Sequence, residues 1–250
     1  MNARPLAPSS PVSGDDLVLL CFTHAGGNVS AFQRWSRSMP PGLRVLGVEY
    51  PGRGSRVTER PIDDFELLTA DLWEHITPFL DRPYALFGHS MGGLIAFELA
   101  RTLVSVGMEA PLHLFVSATA APGNRPNGTS LTGATDAEVL AELRALGGTP
   151  QVLLDDPGVM DMAVRALRAD YTVLESYRHR HHPPLPVPLT VMGAREDMVA
   201  PLAGLTAWKE HTVDLPRFLV FPGDHFFVHA REAEVIDTVI RTLTGVPATP

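Results

Sequence analysis

Three side chains that together can activate a nucleophile each follow an apolar segment of the chain: Ser90, Asp197 and His225. A serine hydroxyl is a weak nucleophile until a base takes its proton. Histidine can act as that base near neutral pH, and a carboxylate can orient its ring and stabilise the imidazolium. If the fold brings these three loops together, they could attack a carbonyl group and form a covalent acyl intermediate.

The serine lies in Phe87-Gly88-His89-Ser90-Met91-Gly92-Gly93, which contains the Gly-x-Ser-x-Gly pattern of a nucleophile elbow. The apolar run Tyr84–Phe87 precedes the serine and a helical pattern begins near Leu94, so the required strand-turn-helix context is present. Gly88 and Gly92 suit the turn because a Cβ at either position would crowd it. We predict an elbow that lifts the hydroxyl above the sheet edge. The alternative is a glycine-rich turn whose serine has no role.

Several histidines compete for the role of the base. His225 follows Pro222-Gly223 in a loop after an apolar run, which favours it. His89 lies inside the elbow and cannot turn back onto the serine. His24 and His211 are further candidates, and His229 is expected to open the final helix. We predict that His225 is the base.

The acid is predicted to be Asp197, which follows the apolar run Val187–Met192. The chain order serine, aspartate, histidine is that of the α/β-hydrolase triad. Asp224 is too close in sequence to reach Nδ1 of its neighbour His225. Glu196, adjacent to Asp197, stays open as a rival.

Donors for an oxyanion are expected in the loop after the first apolar run, where His24-Ala25-Gly26-Gly27 resembles the His-Gly-Gly-Gly type. We assign the backbone N–H groups of Ala25 and Met91 to this oxyanion hole. The alternative for the glycine pair is a plain turn. A phosphate-binding loop is excluded because no Gly-Lys-Ser/Thr follows.

Apolar segments that read as strands alternate with segments that read as helices. The predicted strands are Leu17–Phe22, Leu43–Tyr50, Tyr84–Phe87, Leu112–Val116, Val187–Met192 and Phe218–Phe221. The predicted helices are Ala31–Met39, Phe65–Leu80 with a break at Pro78, Leu94–Val106, Asp136–Ala145, Val159–Tyr177, Leu202–His211 and Glu232–Leu243. This alternation predicts an α/β fold, with a mostly parallel central sheet and helices on both faces. Sites in such folds form at the carboxyl ends of the strands.

The domain organisation follows from the same pattern. Residues 15–250 are predicted to form one domain, and residues 1–14, rich in Pro and Ser, a disordered leader. No convincing strand occurs between about residues 121 and 184, which predicts an inserted helical lid over the strand ends. The alternative is a set of ordinary helices packed on the sheet.

Composition narrows the function classes. The net charge is −8 and no basic stripe occurs, which argues against nucleic acid as a partner. No apolar run approaches the length of a membrane span. Cys21 is the only cysteine and cannot form a disulfide within the chain, which fits a reducing cytoplasm. We expect it to be a small buried residue rather than a nucleophile.

A histidine-rich stretch precedes Pro183-Pro184. Its members are His179, His181 and His182, interleaved with arginines. Adjacent histidines before prolines are more typical of a solvated loop than of a metal site, so we predict neither a metal nor a cofactor.

A family resemblance emerges from several stretches taken together. They are His24-Ala25-Gly26-Gly27, Pro51-Gly52-Arg53, Gly88-His89-Ser90-Met91-Gly92-Gly93, Leu146-Gly147-Gly148-Thr149-Pro150, Leu167-Arg168-Ala169-Asp170 and Gly223-Asp224-His225-Phe226-Phe227. They resemble the type II thioesterases, the free-standing thioesterases that accompany polyketide synthases and nonribosomal peptide synthetases. The resemblance runs from about Leu17 to Leu243. Two departures are Gly54, where an acidic residue often follows the arginine, and Tyr50, where leucine is common.

The resemblance implies an α/β-hydrolase fold and a flexible lid over a hydrophobic chamber. It implies hydrolysis of acyl groups held on the phosphopantetheine arm of acyl or peptidyl carrier proteins. It carries the nucleophile onto Ser90, the acid onto Asp197 and the base onto His225. We also expect a monomer, and we expect carrier docking at a local basic patch around Arg53, Arg56 or Arg178–Arg180.

Two other functions stay open. A general carboxylesterase or acyltransferase would prefer oxygen esters to acyl thioesters. A non-catalytic binding protein of the same fold is disfavoured, because Ser90, Asp197 and His225 are all present and such proteins often lose a triad member.

Overall fold

A parallel sheet lies at the centre of the protein. The structure is a computed structural model that describes residues 16–124, 130–131, 133–146 and 157–245. The strands of the sheet are β1 (Leu17–Phe22), β2 (Leu43–Gly47), β3 (Tyr84–His89), β4 (Leu114–Ser117), β5 (Leu189–Ala194) and β6 (Arg217–Phe221). Their order is β2-β1-β3-β4-β5-β6, and every neighbouring pair is parallel. The predicted α/β-hydrolase fold class with a parallel sheet is confirmed.

Helices cover both faces of this sheet. They are α1 (Gln33–Ser38), α2 (Phe65–Ile76), α3 (Met91–Ser105), α4 (Asp136–Leu146), α5 (Pro157–Ser176), α6 (Leu202–Thr206), α7 (Phe227–Ala230) and α8 (Glu232–Thr244). Val18 and Leu20 of β1 pack in one core with α2 and α3, whereas Leu19 and Cys21 pack in the other with α1 and α8. Strands buried on both sides are continuously apolar, which is why they were recognisable in the sequence.

The cysteine within β1 has no exposed surface. Burial raises the pKa of the Cys21 thiol well above its usual value, so the thiol is not available as a nucleophile. The prediction of a buried residue is confirmed.

Several element boundaries differ from the predicted ones because backbone hydrogen bonding decides where an element begins. Strand β5 begins at Leu189 rather than Val187, since Pro188 cannot donate to a ladder. Helix α2 ends at Ile76 and a 3₁₀ turn containing Pro78 follows it, which confirms the predicted break. Helix α3 begins at Met91, three residues before the predicted start at Leu94, so Gly92 and Gly93 lie inside its first turn.

Two other predicted elements are shorter than expected. Strand β2 stops at Gly47, where its pairing with Cys21 of β1 ends. The segment after β5 divides into α6 and a 3₁₀ helix over Ala207–Glu210. His229 lies in the separate short helix α7 and does not open the final helix, so that prediction was wrong.

The predicted lid contains α4 and α5, and its described residues contain no strand. The leader predicted over residues 1–14 lies outside the described residues, as do residues 125–129, 132 and 147–156 of the predicted lid. Among the helices that the structure describes, none has the length and apolar character needed to cross a membrane.

Candidate active site

Ser90 occupies the turn between β3 and α3 with a backbone φ of 54° and ψ of −117°. A positive φ is strained for a residue with a Cβ, and the surrounding hydrogen bonds hold it in place. The N–H of Ser90 donates to Ser117 O (2.8 Å), and Ser90 O accepts from the N–H of Gly93 (3.0 Å) and the hydroxyl of Thr119 (2.9 Å). The turn is the predicted nucleophile elbow.

The elbow requires both of its glycines. A Cβ added to Gly88 would overlap the backbone of Gly92 and Gly93, and one added to Gly92 would overlap the carbonyl group of Phe22. The predicted crowding is confirmed, and the second clash shows that β1 also presses on the turn.

The structure brings the three predicted side chains together in a hydrogen-bonded row. Nδ1 of His225 lies 2.9 Å from Asp197 Oδ2 and 3.1 Å from Oδ1, and Nε2 lies 2.9 Å from Ser90 Oγ. Because a carboxylate can only accept, Nδ1–H donates to Asp197 and the Nε2 lone pair accepts from the serine hydroxyl. The histidine is therefore in the tautomer that can take a proton from serine.

Asp197 lies just after β5, and only 3% of its surface is exposed. Burial raises the pKa of this carboxyl, but the hydrogen bond and charge of His225 and the N–H groups of Ala200 and Val199 outweigh it, so the pKa is lowered. Asp197 Oδ1 accepts from those two N–H groups at 2.9 and 2.8 Å. The side chain is thus held both ionised and oriented.

The carboxylate of Glu196, the other candidate for the acid, hydrogen-bonds to the backbone instead of to His225. Its Oε2 accepts from the N–H of Gly223 (2.6 Å) and, in return, the N–H of Glu196 donates to Gly223 O (3.0 Å). These bonds fix the loop that carries His225. Asp197, not Glu196, contacts the histidine ring.

The other candidate bases do not hydrogen-bond to the serine hydroxyl. His89 is buried behind the elbow with Nδ1 2.9 Å from Ser117 Oγ. His24 packs edge-on against Phe226 with a ring separation of 4.9 Å. Burial lowers the pKa of His24 to about 3 and that of His89 well below its usual value, so both rings are neutral near pH 7. Burial also lowers the pKa of His229.

The loop after β1 is adjacent to the elbow because β1 and β3 are neighbours, with Phe22 opposite Gly88. It turns sharply, with Gly26 at φ 76° and the N–H of Gly27 donating to His24 O (3.0 Å). Among the described residues, no backbone acceptor engages the N–H of Ala25 or Met91. Met91 is the first residue of α3, where an N–H has no partner within the helix.

A buried ion pair that sequence reasoning missed braces this loop. Asp170 of α5 pairs with both terminal nitrogens of Arg53 (2.5 and 2.7 Å) and accepts from the N–H of Gly26 (2.6 Å). In the sequence, Asp170 stands out only as part of the family motif Leu167-Arg168-Ala169-Asp170. Its position three residues from the buried Leu167 and Val173, on the apolar stripe of α5, was the signal that could have found it.

The prediction that Arg53 or Arg56 offers a basic docking patch was wrong, because both side chains are buried and bonded to carboxylates. Arg56 pairs with Asp71 (2.6 Å) and Glu59 (2.5 Å). Arginines are mostly exposed in proteins, and that general expectation failed here.

The glycine that departs from the family pattern has a steric reason. A Cβ on Gly54 would overlap the carboxylate of Glu49, which is itself buried. Glu49 therefore places an acidic group beside the position where the family often carries one.

The three histidines of the histidine-rich stretch are exposed, as expected of a solvated loop. Among the residues the structure describes, no three potential metal ligands come together.

A parallel sheet that carries a strained serine elbow after β3, a carboxylate after β5 and a histidine after β6 defines the α/β-hydrolase class. Within that class the thioesterase domain family matches residues 18–243, and the chain belongs to this family. The protein is a thioester hydrolase.

Relatives with known structures or named roles resemble nearly the whole chain. The gramicidin S biosynthesis protein GrsT of Aneurinibacillus migulanus is 36% identical over 92% of this chain and 90% of its own length. The type II thioesterase BorB from the borrelidin biosynthetic cluster is 34% identical, with a TM-score of 0.84 over 92% of this chain and 94% of its own. RedJ, the thioesterase of the prodiginine pathway of Streptomyces coelicolor, is 34% identical, with a TM-score of 0.80 over 94% and 90%.

Proposed function

We propose that this thioesterase hydrolyses acyl groups from the phosphopantetheine arm of acyl or peptidyl carrier proteins, and so clears stalled or misprimed synthases of polyketide or nonribosomal peptide pathways. Ser90 is the nucleophile, His225 the base and Asp197 the orienting acid. The observation that carries these roles is the 2.9 Å contact between His225 Nε2 and Ser90 Oγ at a strained elbow. The named pathways of the similar proteins support the substrate class.

Acylation begins when Ser90 Oγ attacks the thioester carbonyl carbon while its proton moves to His225 Nε2. The carbonyl oxygen becomes an oxyanion, which accepts hydrogen bonds from the N–H groups of Ala25 and Met91. One such donor is worth about 3 kcal/mol of transition-state stabilisation. The carbon–sulfur bond then breaks, and the leaving thiolate takes the proton from His225. A thiol with a pKa near about 8.5 needs less protonation than an amine would.

Deacylation repeats the sequence with water. His225 takes a proton from water as the oxygen attacks the Ser90 ester, and it returns that proton to Oγ when the tetrahedral intermediate collapses. The products are the free acid and a carrier whose phosphopantetheine thiol is available again. No cofactor takes part in these steps.

Docking of the carrier is assigned to the exposed arginines that follow α5, since Arg53 and Arg56 are buried. Arg178 and Arg180 are exposed and line a cavity of about 620 Å³ together with Arg101. Arg180 pairs with Glu66 (2.5 Å). Charge reversal of Arg178 to Glu is expected to raise KM for an acyl-carrier protein severalfold and to leave turnover of a small acyl thioester unchanged.

The control for this docking test is Arg217→Glu, an equal charge change at an exposed position on β6. Equal effects of the two substitutions would mean that only net charge matters, and would contradict a docking role for Arg178. A monomeric state and a cytoplasmic location are part of the same proposal.

The main test is intact-mass analysis of an acyl-carrier protein incubated with wild type, with Ser90→Ala and with Ser38→Ala, an exposed serine on α1. We expect the acyl mass to disappear with wild type and Ser38→Ala only, leaving the free phosphopantetheine arm. Persistence of the acyl mass with wild type, alongside rapid turnover of oxygen esters, would favour a carboxylesterase and refute the proposal.

A further inference from the structure

We propose that Asp170 of α5 is a positioning residue, which holds the loop after β1 in the shape that presents the Ala25 N–H to the oxyanion. The oxyanion hole is then complete only while α5 lies against this loop. The proposal rests on the proposed roles of Ser90 and Ala25. It adds Asp170, from a helix distant in the sequence, to the residues that support the active site.

One carboxylate joins three parts of the chain. Asp170 Oδ2 accepts from the N–H of Gly26 (2.6 Å) and from Arg53 Nη1 (2.5 Å), and Oδ1 accepts from Arg53 Nη2 (2.7 Å). Asp170 is 144 residues from Gly26 and 117 from Arg53, and only 1% of its surface is exposed. A bidentate pair restricts both planar groups to one relative orientation.

The ion pair extends to the rest of the loop. Arg53 Nη1 also donates to Gly27 O (3.3 Å), and the guanidinium lies 5.2 Å from the ring centroid of Tyr50. The Tyr50 hydroxyl donates to Thr23 O (3.0 Å). The backbone is therefore held at Thr23, Gly26 and Gly27, on both sides of Ala25. Fixing the neighbouring peptide groups fixes the direction of the Ala25 N–H without occupying it.

Stability alone does not account for this pair. Replacing a buried ion pair by apolar residues of similar volume is often neutral or stabilising, because desolvating two charges offsets their attraction. What an apolar pair could not supply is an acceptor for the Gly26 N–H. In an active site, donors aimed at a developing charge gain most from being held in place before reaction.

The test compares two double variants that both lack the buried charges, Arg53→Met/Asp170→Asn and Arg53→Met/Asp170→Leu. Asparagine and leucine have nearly the same shape, but only asparagine keeps an oxygen for the Gly26 N–H. Removing both charges together avoids leaving one of them buried and unpaired. The readouts are kcat and KM for a small acyl thioester, and the inhibition constant of a boronic acid that forms a tetrahedral adduct with Ser90.

We expect the leucine variant to show a kcat at least about tenfold below that of the asparagine variant, since losing one oxyanion donor outright costs about 10²- to 10³-fold. KM should agree within about threefold, and the boronic acid should bind the leucine variant more weakly by a factor similar to that in kcat. Equal kcat values, or a difference confined to KM, would overturn the proposal. If the leucine variant does not fold, Arg53→Met/Asp170→Ala removes the same oxygen without added bulk and is judged by the same criterion.

Failure of the proposed function would look different. If wild type cleaves the small thioester but not an acyl-carrier protein, the carrier substrate is wrong and the comparison of variants still decides the role of Asp170. If Ser90→Ala keeps wild-type kcat, the assignment of the nucleophile is wrong, and the positioning proposal is refuted together with it.

Discussion

Replacing Asp197 by Asn should invert the hydrogen-bonding pattern at His225. The Oδ1 position accepts from the N–H groups of Val199 and Ala200, so the amide oxygen of asparagine must remain there. Its NH₂ group then lies at the Oδ2 position, 2.9 Å from Nδ1 of His225, as a donor. The ring has to accept at Nδ1, which puts its proton on Nε2, and the base can no longer take the proton of Ser90.

We expect kcat to fall by about 10³- to 10⁴-fold, or about 4 to 5.5 kcal/mol of activation free energy, because the geometry is kept and only the tautomer is wrong. The matched control is Glu196→Gln, which changes the adjacent carboxylate in the same way. Its amide oxygen can still accept from the N–H of Gly223, so kcat should stay within about threefold of wild type.

The assay is steady-state hydrolysis of a small acyl thioester, followed by release of the free thiol. Single-turnover measurements with an excess of enzyme give the acylation step directly. The reasoning would be refuted if Asp197→Asn kept more than about a tenth of wild-type kcat, or if Glu196→Gln lost as much as Asp197→Asn.

The same substitution has a stability signature. The pKa of Asp197 is lowered in the folded state, so its ionised form stabilises the fold above the unfolded pKa of about 3.9, and this contribution is lost as the pH falls through the folded pKa. The free energy of unfolding of wild type relative to Asp197→Asn should be constant above about pH 5 and should decrease below about pH 4. A difference that grows on acidification would contradict the lowered pKa.

Further predictions concern the elbow, its support and the neutral histidine beside it. Gly88→Ala should cost more than about 3 kcal/mol in thermal unfolding because its Cβ meets backbone, whereas Gly107→Ala, at φ 75° but in open space, should cost about 1 to 2 kcal/mol; equal costs would argue against the clash. Trp208→Phe removes the Nε1–H donor to Thr119 O (2.6 Å) and should cost about 1 to 3 kcal/mol in urea unfolding, so a loss below about 0.5 kcal/mol would show that this carbonyl finds another partner. Burial lowers the pKa of His24 to about 3, so the unfolded chain binds more protons below about pH 6.5 and acidification destabilises wild type. His24→Gln should remove up to about 1.4 kcal/mol per pH unit of that slope between about pH 5 and 6, and an unchanged slope would show that His24 does not cause it.

The sequence was sufficient to predict that Ser90, Asp197 and His225 come together, because the signals for this are local. Each of Ser90, Asp197 and His225 follows an apolar run, and parallel topology places the carboxyl ends of such runs at one edge. The glycines of the elbow are adjacent to the residue that they serve. Neither inference required knowledge of how distant segments pack.

The ion pair between Arg53 and Asp170, which braces the loop after β1, could not be predicted in this way. Arg53 and Asp170 belong to segments 117 residues apart, and no periodicity specifies that these two segments meet. The end of α2 at Ile76, in contrast, could be predicted, because Pro78 disrupts the helix only at the residues next to it in the sequence. What sequence reasoning lacks is the relative placement of α5 and the sheet.

The large separation between partners in the site has a consequence for synthesis of the chain on the ribosome. Ser90 and His225 are 135 residues apart, and β1 to β4, which are contiguous in the sheet, are complete before β5 and β6 are made. A nascent chain that has reached α5 contains the elbow and the Arg53–Asp170 pair but lacks His225, the proposed base. With the proposed role of His225, hydrolytic competence arises only when β6 joins the sheet and places His225 beside Ser90, so a partly folded chain that ends before β6 is expected to be inactive.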